Sequence, residues 1–259
     1  MNASDLKTIT SIDSITLEAD DPEAAQRFYS EAFGLDSRVR TVATDAPSSG
    51  FRGYTVSLVT SQPANVRALF DAAVAAGASV VKPVEKSLWG AGGVVQAPDG
   101  AIWQLATSSK KDTAEASRDF DDIVVLLAAE DVGASKKFYG QRGLAVAKGF
   151  GSYVDFATPS SPIGLGLYKR RALAKAAGVP PEGSGSHRIR INSDGGTFTD
   201  PDGFEWSRYA SPSGALLDQR SAVTRAGCRR PPGPRSCRRA GARRATRRRR
   251  AGTPAWRAT

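Results

Sequence analysis

The chain has 259 residues, enough for one large or two modest domains, and a formal net charge of +10. The charge is confined: residues 220–259 carry 14 Arg and no Lys, Asp or Glu, which leaves the body with 22 basic against 26 acidic residues. The body therefore offers no basic surface for nucleic acid. Both cysteines, Cys228 and Cys237, also lie in that tail, so the body has neither a disulfide framework nor a thiolate nucleophile. The start of the chain has no apolar signal-like region, and no run of about 18 apolar residues occurs, so a cytoplasmic protein with no membrane partner is expected.

Residues 12–19 alternate, with Ile15 and Leu17 on one face and Ser14, Thr16 and Glu18 on the other, which predicts a half-buried strand. Asp20-Asp21-Pro22 then opens a helix that runs through Phe28, Tyr29 and Phe33 and stops at Gly34. Segments 38–44 and 53–60 read as strands. Residues 63–76 form a second helix with Val66, Leu69, Phe70 and Ala73 as its apolar stripe, followed by strands at 79–84, 92–96 and 102–106. A polar linker, 108–118, comes next. The pattern then restarts: a strand at 122–129, a helix opened by Glu130-Asp131 that contains Phe138-Tyr139, and strands at 153–158 and 163–168. A short helix at 170–177 matches 67–76, and strands at 188–191 and 204–209 close the second half.

The restart is a duplication. Pro98-Asp99-Gly100 with Trp103 three residues after the glycine returns as Pro201-Asp202-Gly203 with Trp206. Phe28-Tyr29 returns 110 residues later as Phe138-Tyr139. Within the first half, Ser14 stands eight residues before Pro22 as Thr55 stands eight before Pro63, so a strand–helix–strands unit is used about four times. The expected class is α+β, with curved antiparallel sheets backed by helices on the outer face. The expected domains are 9–107 and 119–212, followed by a disordered tail at 213–259, whose composition cannot bury enough surface to offset its ordering entropy. Its arginines suit a nucleic-acid arm. A GC-rich coding region translated in a shifted frame gives the same Arg, Ala, Gly and Pro mixture, and the acidic body has no basic surface for an arm to extend, so the shifted frame is the preferred reading.

Strand–helix with Phe-Tyr, then Gly-Leu, then a closing Asp-Gly-x-x-Trp strand resembles the vicinal oxygen chelate superfamily. That group includes glyoxalase I, extradiol dioxygenases, fosfomycin-resistance enzymes and bleomycin-binding proteins. The resemblance covers about residues 9–212 and is nearest to two-domain bacterial glyoxalase-like proteins. It implies tandem glyoxalase-like domains of paired βαβββ units whose sheets curl around a cleft. In the family's enzymes that cleft holds a divalent metal, bound by a His on an opening strand and a Glu on a closing strand. Such donors suit Fe(II), Mn(II), Ni(II) or Zn(II), with open positions for substrate oxygens.

This sequence departs from that pattern. The opening positions hold Ser14, Thr55 and, by the shift of 110, Val124; the closing positions hold Gln104 and Ser207. Hydroxyls, a neutral amide and a methyl-bearing side chain do not replace imidazole and carboxylate. No metal or other cofactor is therefore expected. Binding of a small organic molecule is expected instead, in a cleft lined by Ser14, Thr16, Thr55 and Gln104 on one side and Val124 and Leu126 on the other, with pairing of the halves in one chain or in a homodimer. Trp89, in a glycine-rich stretch, is the best aromatic candidate to touch a ligand, although an exposed hairpin tryptophan fits equally well. His187, the one histidine, reads as an exposed residue of a flexible Gly/Ser loop ahead of a general base or surviving metal ligand. Trp103 and Trp206 fall on the helix-backed face as core. The alternatives are a metal-dependent lyase or dioxygenase using an unusual set, such as His187 with Asp122 or Glu205, and nucleic-acid binding by the tail.

Overall fold

A computed structural model describes residues 7–35 and 37–209; the expectations placed on the arginine-rich segment lie outside the described residues. The first half runs β1 (Ile12–Ala19), α1 (Pro22–Phe33), β2 (Val39–Ala43), β3 (Ser48–Gly50), β4 (Tyr54–Val59), α2 (Pro63–Ala75), β5 (Ser79–Ser87), β6 (Gly90–Gln96) and β7 (Ile102–Thr107). The second runs β8 (Asp122–Ala129), α3 (Val132–Gln141), β9 (Ala145–Phe150), β10 (Tyr153–Ala157), β11 (Ile163–Lys169), α4 (Arg170–Ala177), β12 (Gly183–Gly185), β13 (Ile189–Ser193), β14 (Phe198–Thr199) and β15 (Glu205–Arg208). Among the described residues no helix is long and apolar enough to cross a membrane.

Local chemistry sets the helix ends. The Asp21 carboxylate accepts the Ala24 N–H at 2.9 Å, Pro22 sits in the first turn, and α1 ends at Gly34 in the left-handed region, φ 65°. Asp131 opens α3 the same way, accepting from the Gly133 and Ala134 N–H groups. Gln62 gives α2 no such bond; Asp112 of the following linker accepts the Ala64 N–H instead, at 2.5 Å.

The class is α+β. Two of the four units are complete, β4-α2-β5-β6-β7 and β8-α3-β9-β10-β11. They join through the antiparallel pair β4–β8 into an eight-stranded sheet of order β5-β6-β7-β4-β8-β11-β10-β9. The other two units are short. The first places only β1 and β2 in its sheet, because β3 leaves to pair with β12. The last has no helix between β13 and β14. These join through antiparallel β1–β13 into a five-stranded sheet, β14-β15-β13-β1-β2. Each sheet thus takes strands from both halves of the sequence. The sheets are mixed rather than purely antiparallel: β1–β2, β4–β7, β8–β11 and β13–β15 are parallel neighbours, each within one unit.

The aromatic positions of the repeat form the outer layer. Trp103 and Trp206 are fully buried, as their alternation predicts. Trp103 lies against Tyr29 and Phe33 of α1, and Trp206 against Tyr139 of α3 and Phe198. Each tyrosine hydroxyl donates to an aspartate at the Pro-Asp-Gly turn: Tyr29 to Asp99 at 2.7 Å and Tyr139 to Asp200 at 2.5 Å. Burial pushes the Asp200 carboxyl up from its ordinary value, against the pull of hydrogen bonds from Tyr139 and the Phe204 N–H. In the first half α2 packs beside α1; in the second no equivalent helix stands beside α3, and the Arg142 guanidinium lies over Phe198 at 3.6 Å instead.

The linker is stapled rather than loose. Buried Gln62 accepts the Thr113 and Ala114 N–H groups through Oε1 and donates through Nε2 to the Ala114 and Glu115 carbonyls and to Asn65. Gln62→Ala leaves those buried groups unpaired and is expected to cost about 2–3 kcal/mol, read as a lower urea midpoint at unchanged slope.

Helix α4 is not the counterpart of α2. It follows β11, the closing strand of its unit, and lies on the inner face of the eight-stranded sheet against β4, β8 and β11. Its apolar residues Leu173, Ala174 and Ala177 are completely buried there, which is why the helix tucks inside instead of joining the outer layer. Lys82, from the far edge strand β5, donates to the Lys175 and Ala176 carbonyls at 3.0 and 2.8 Å and caps the negative end of α4. The sheet therefore curls around the helix.

Candidate functional site

Alternation along the strands gives each sheet an inner face, and the residues expected to line one cleft divide between two. Thr55, Gln104, Val124 and Leu126 belong to the eight-stranded sheet. Gln104 Nε2 donates to Thr55 Oγ1 at 2.8 Å, and both are buried. Val124 and Leu126 share one buried cluster with Leu173, Ala174 and Ala177 of α4 and with Tyr153 and Tyr168. The apolar side of the expected cleft is thus filled by the chain itself. Burial raises the Tyr168 hydroxyl to about 12 and the Tyr153 hydroxyl further still, with the Asp155 carboxylate adding to both, so neither is poised as a base.

Ser14, Thr16 and Ser207 lie on the five-stranded sheet. Here β1 brings Ser14, Thr16 and Glu18, β13 brings Arg190 and Asn192, and β15 brings Glu205 and Ser207 to one face. The Asn192 amide forks between Ser14 Oγ and Thr16 Oγ1, at 3.0 Å to each. Arg190 bridges two carboxylates, at 3.0 Å to Glu18 and 3.2 Å to Glu205. The Arg40 guanidinium lies over the Tyr209 ring at 5.6 Å, at the side of this face. A cavity of about 340 Å³ lies at the end of the row, lined by Glu18, Gly185, Ser186, His187, Ile189, Gly203 and Glu205. A smaller one, about 190 Å³, sits at the start of α4 between Lys169, Arg171, Glu130 and Glu182.

His187 is not an exposed residue of a flexible loop. The preceding Gly183–Gly185 is strand β12, paired with β3, and the half-buried ring stacks on Phe204 at 4.1 Å. Its Nδ1 lies 2.6 Å from the Arg52 carbonyl and its Nε2 3.2 Å from that of Asp202. Both ring nitrogens are thus turned toward backbone carbonyls, and a neutral ring donates to one of the two. Arg188 next to it holds a left-handed backbone, φ 52°, with its side chain tied to Asp20 at 2.9 Å and to the Ala46 carbonyl. Trp89 stands at the β5–β6 hairpin tip, mostly exposed and outside both cavities.

Sequence reasoning passed over Arg190, Asn192, Glu18 and Glu205 as parts of a single face. The signal for the first two was the alternation of Ile189 and Ile191, which sets Arg190 and Asn192 opposite the core. It was lost because the strand was ended at 191, two residues early.

No family model matches the chain, and no curated protein matches it in sequence. Among solved structures, glyoxalase I from Zea mays superposes with a TM-score of 0.53 at 16% identity, over 83% of this chain and 97% of that one. The fold is that of glyoxalase I. A single-substitution variant of the same enzyme matches at 0.50 and 15% identity, over 76% of this chain and 90% of that one. The Mn(II)-bound glyoxalase from Novosphingobium aromaticivorans matches at 0.30 and 15% identity, over 78% and 82%. The glyoxalase-like fold implied by the sequence is therefore present.

The metal of the glyoxalase-fold enzymes does not suit these residues. The Ser14 and Thr16 hydroxyls are occupied by Asn192, Gln104 and Thr55 bond each other, Val124 has no donor atom, and Ser207 is a neutral hydroxyl. Among the described residues no three of His, Cys, Asp or Glu stand close enough to share an ion. His187, the one imidazole, faces two carbonyls instead of Asp122 or Glu205.

Proposed function

We propose that this glyoxalase-fold chain binds a small organic molecule on the inner face of its five-stranded sheet, without metal chemistry. The observation that carries this reading is the 340 Å³ cavity, whose Glu18 and Glu205 walls belong to the same face as Ser14, Thr16, Asn192 and Ser207. A volume in that range holds a ligand of modest size, and a few convergent polar groups fix its orientation. On the inner face of the eight-stranded sheet, Val124 and Leu126 are covered by Leu173, Ala174 and Ala177 of α4.

The test combines metal content with ligand screening. Protein purified without chelator and then exposed to Zn, Ni, Mn and Fe(II) is expected to retain only substoichiometric metal after dialysis, by mass spectrometry. A small-molecule screen is expected to find compounds that raise Tm. Glu18→Ala, at the cavity wall, is expected to weaken such a compound about tenfold, the worth of a lost polar partner. Tightly held stoichiometric metal would overturn the metal-free reading, and a ligand indifferent to Glu18 would overturn the location.

A further inference from the structure

The walls of the 340 Å³ cavity define which charge its ligand carries. Glu18 spends Oε1 on Arg190 Nη2, and Glu205 spends Oε2 on Arg190 Nε. The second oxygen of each, Glu18 Oε2 and Glu205 Oε1, has no hydrogen-bond donor among the described residues. One guanidinium between two carboxylates leaves one negative charge uncompensated. The Glu18 side chain is only 15% exposed, so water screens that charge poorly. No lysine or arginine stands among the lining residues, and both His187 nitrogens are turned to backbone carbonyls.

We propose that this cavity takes a protonated amine, a small organic monocation whose N–H groups donate to Glu18 and Glu205. The inference rests on the binding face proposed above and adds the ligand's charge. An anion in this place meets two carboxylates. A purely apolar molecule desolvates two carboxylate oxygens and gives them no donor, which is the costly outcome. An ammonium supplies the donors and cancels the residual charge.

The experiment is isothermal titration of the full chain at neutral pH with three near-isosteric probes: benzylamine, benzyl alcohol and benzoate. Benzylamine is expected to bind roughly tenfold more tightly than benzyl alcohol, the margin of a charge-assisted over a neutral hydrogen bond, and benzoate more weakly than either. Glu205→Gln, at a largely exposed side chain that the fold tolerates, is expected to erase the preference for the amine. Equal or tighter binding of the alcohol or the carboxylate, with an affinity still changed by Glu18→Ala, would overturn the charge assignment and leave the binding face standing. Failure of all three probes to bind would overturn the amine assignment. The face itself would fall only if ligands found by screening were also indifferent to Glu18→Ala.

Discussion

Leu173→Ala is expected to lower the unfolding free energy by about 2–5 kcal/mol, the usual cost of removing a buried leucine side chain and leaving a void. Leu173 is fully buried between α4 and the inner face of the eight-stranded sheet, where Val124 and Leu126 form the facing wall. Leu173→Asp is expected to cost more, because it places an unpaired carboxylate in that apolar layer. Urea denaturation followed by fluorescence measures both. A helix that merely rested on the sheet would tolerate either change with a loss under about 1 kcal/mol, as exposed positions do. That result would reopen the inner face of the larger sheet as a ligand cleft.

Trp206→Ala is expected to cost about 3–5 kcal/mol. The indole stacks on Phe198 at 5.2 Å and 12° and leans on Tyr139 at 5.6 Å, and in this half no second helix shares the load. Trp206→Phe separates the causes. The indole N–H is buried and finds no acceptor in hydrogen-bonding geometry among the described residues, so phenylalanine gives up area alone and is expected to cost only about 1–2 kcal/mol. A loss as large as that of alanine would show that the N–H is engaged after all.

The fold was legible where the chain repeats itself. Alternation around Ile15 and Leu17, Asp-Pro helix starts, the Phe-Tyr pairs and the Asp-Gly-x-x-Trp strands each encode a local choice, and each element formed where its pattern lay. Three features were out of reach for a physical reason: they are decided by which strand pairs with which. Alternation says that Ser14 and Gln104 face inward, but it does not say that Ser14 meets Asn192 while Gln104 meets Thr55. The apolar stripe of α4 demands burial on some face, and its resemblance to α2 suggested the outer one; the connection from β11 sends it inside. His187 lies in a run of Gly and Ser that reads as flexible. It is held by strand pairing and by the Arg52 carbonyl, 135 residues away in sequence.

The way the two sheets are nested orders the assembly of the molecule. Residues 54–169 are contiguous and make the eight-stranded sheet from themselves, including its central β4–β8 contact. The five-stranded sheet needs β1 to find β13, and Asn192 lies 178 residues from Ser14. Closing so long a loop on an unfolded chain has a large entropic cost, but most of the loop is already compact once the inner sheet exists. The five-stranded sheet is then the last part to close and the first to open, and it is the sheet on which the binding face is proposed. A ligand bound there holds together the two ends of the folded chain and stabilises the step on which the complete structure depends.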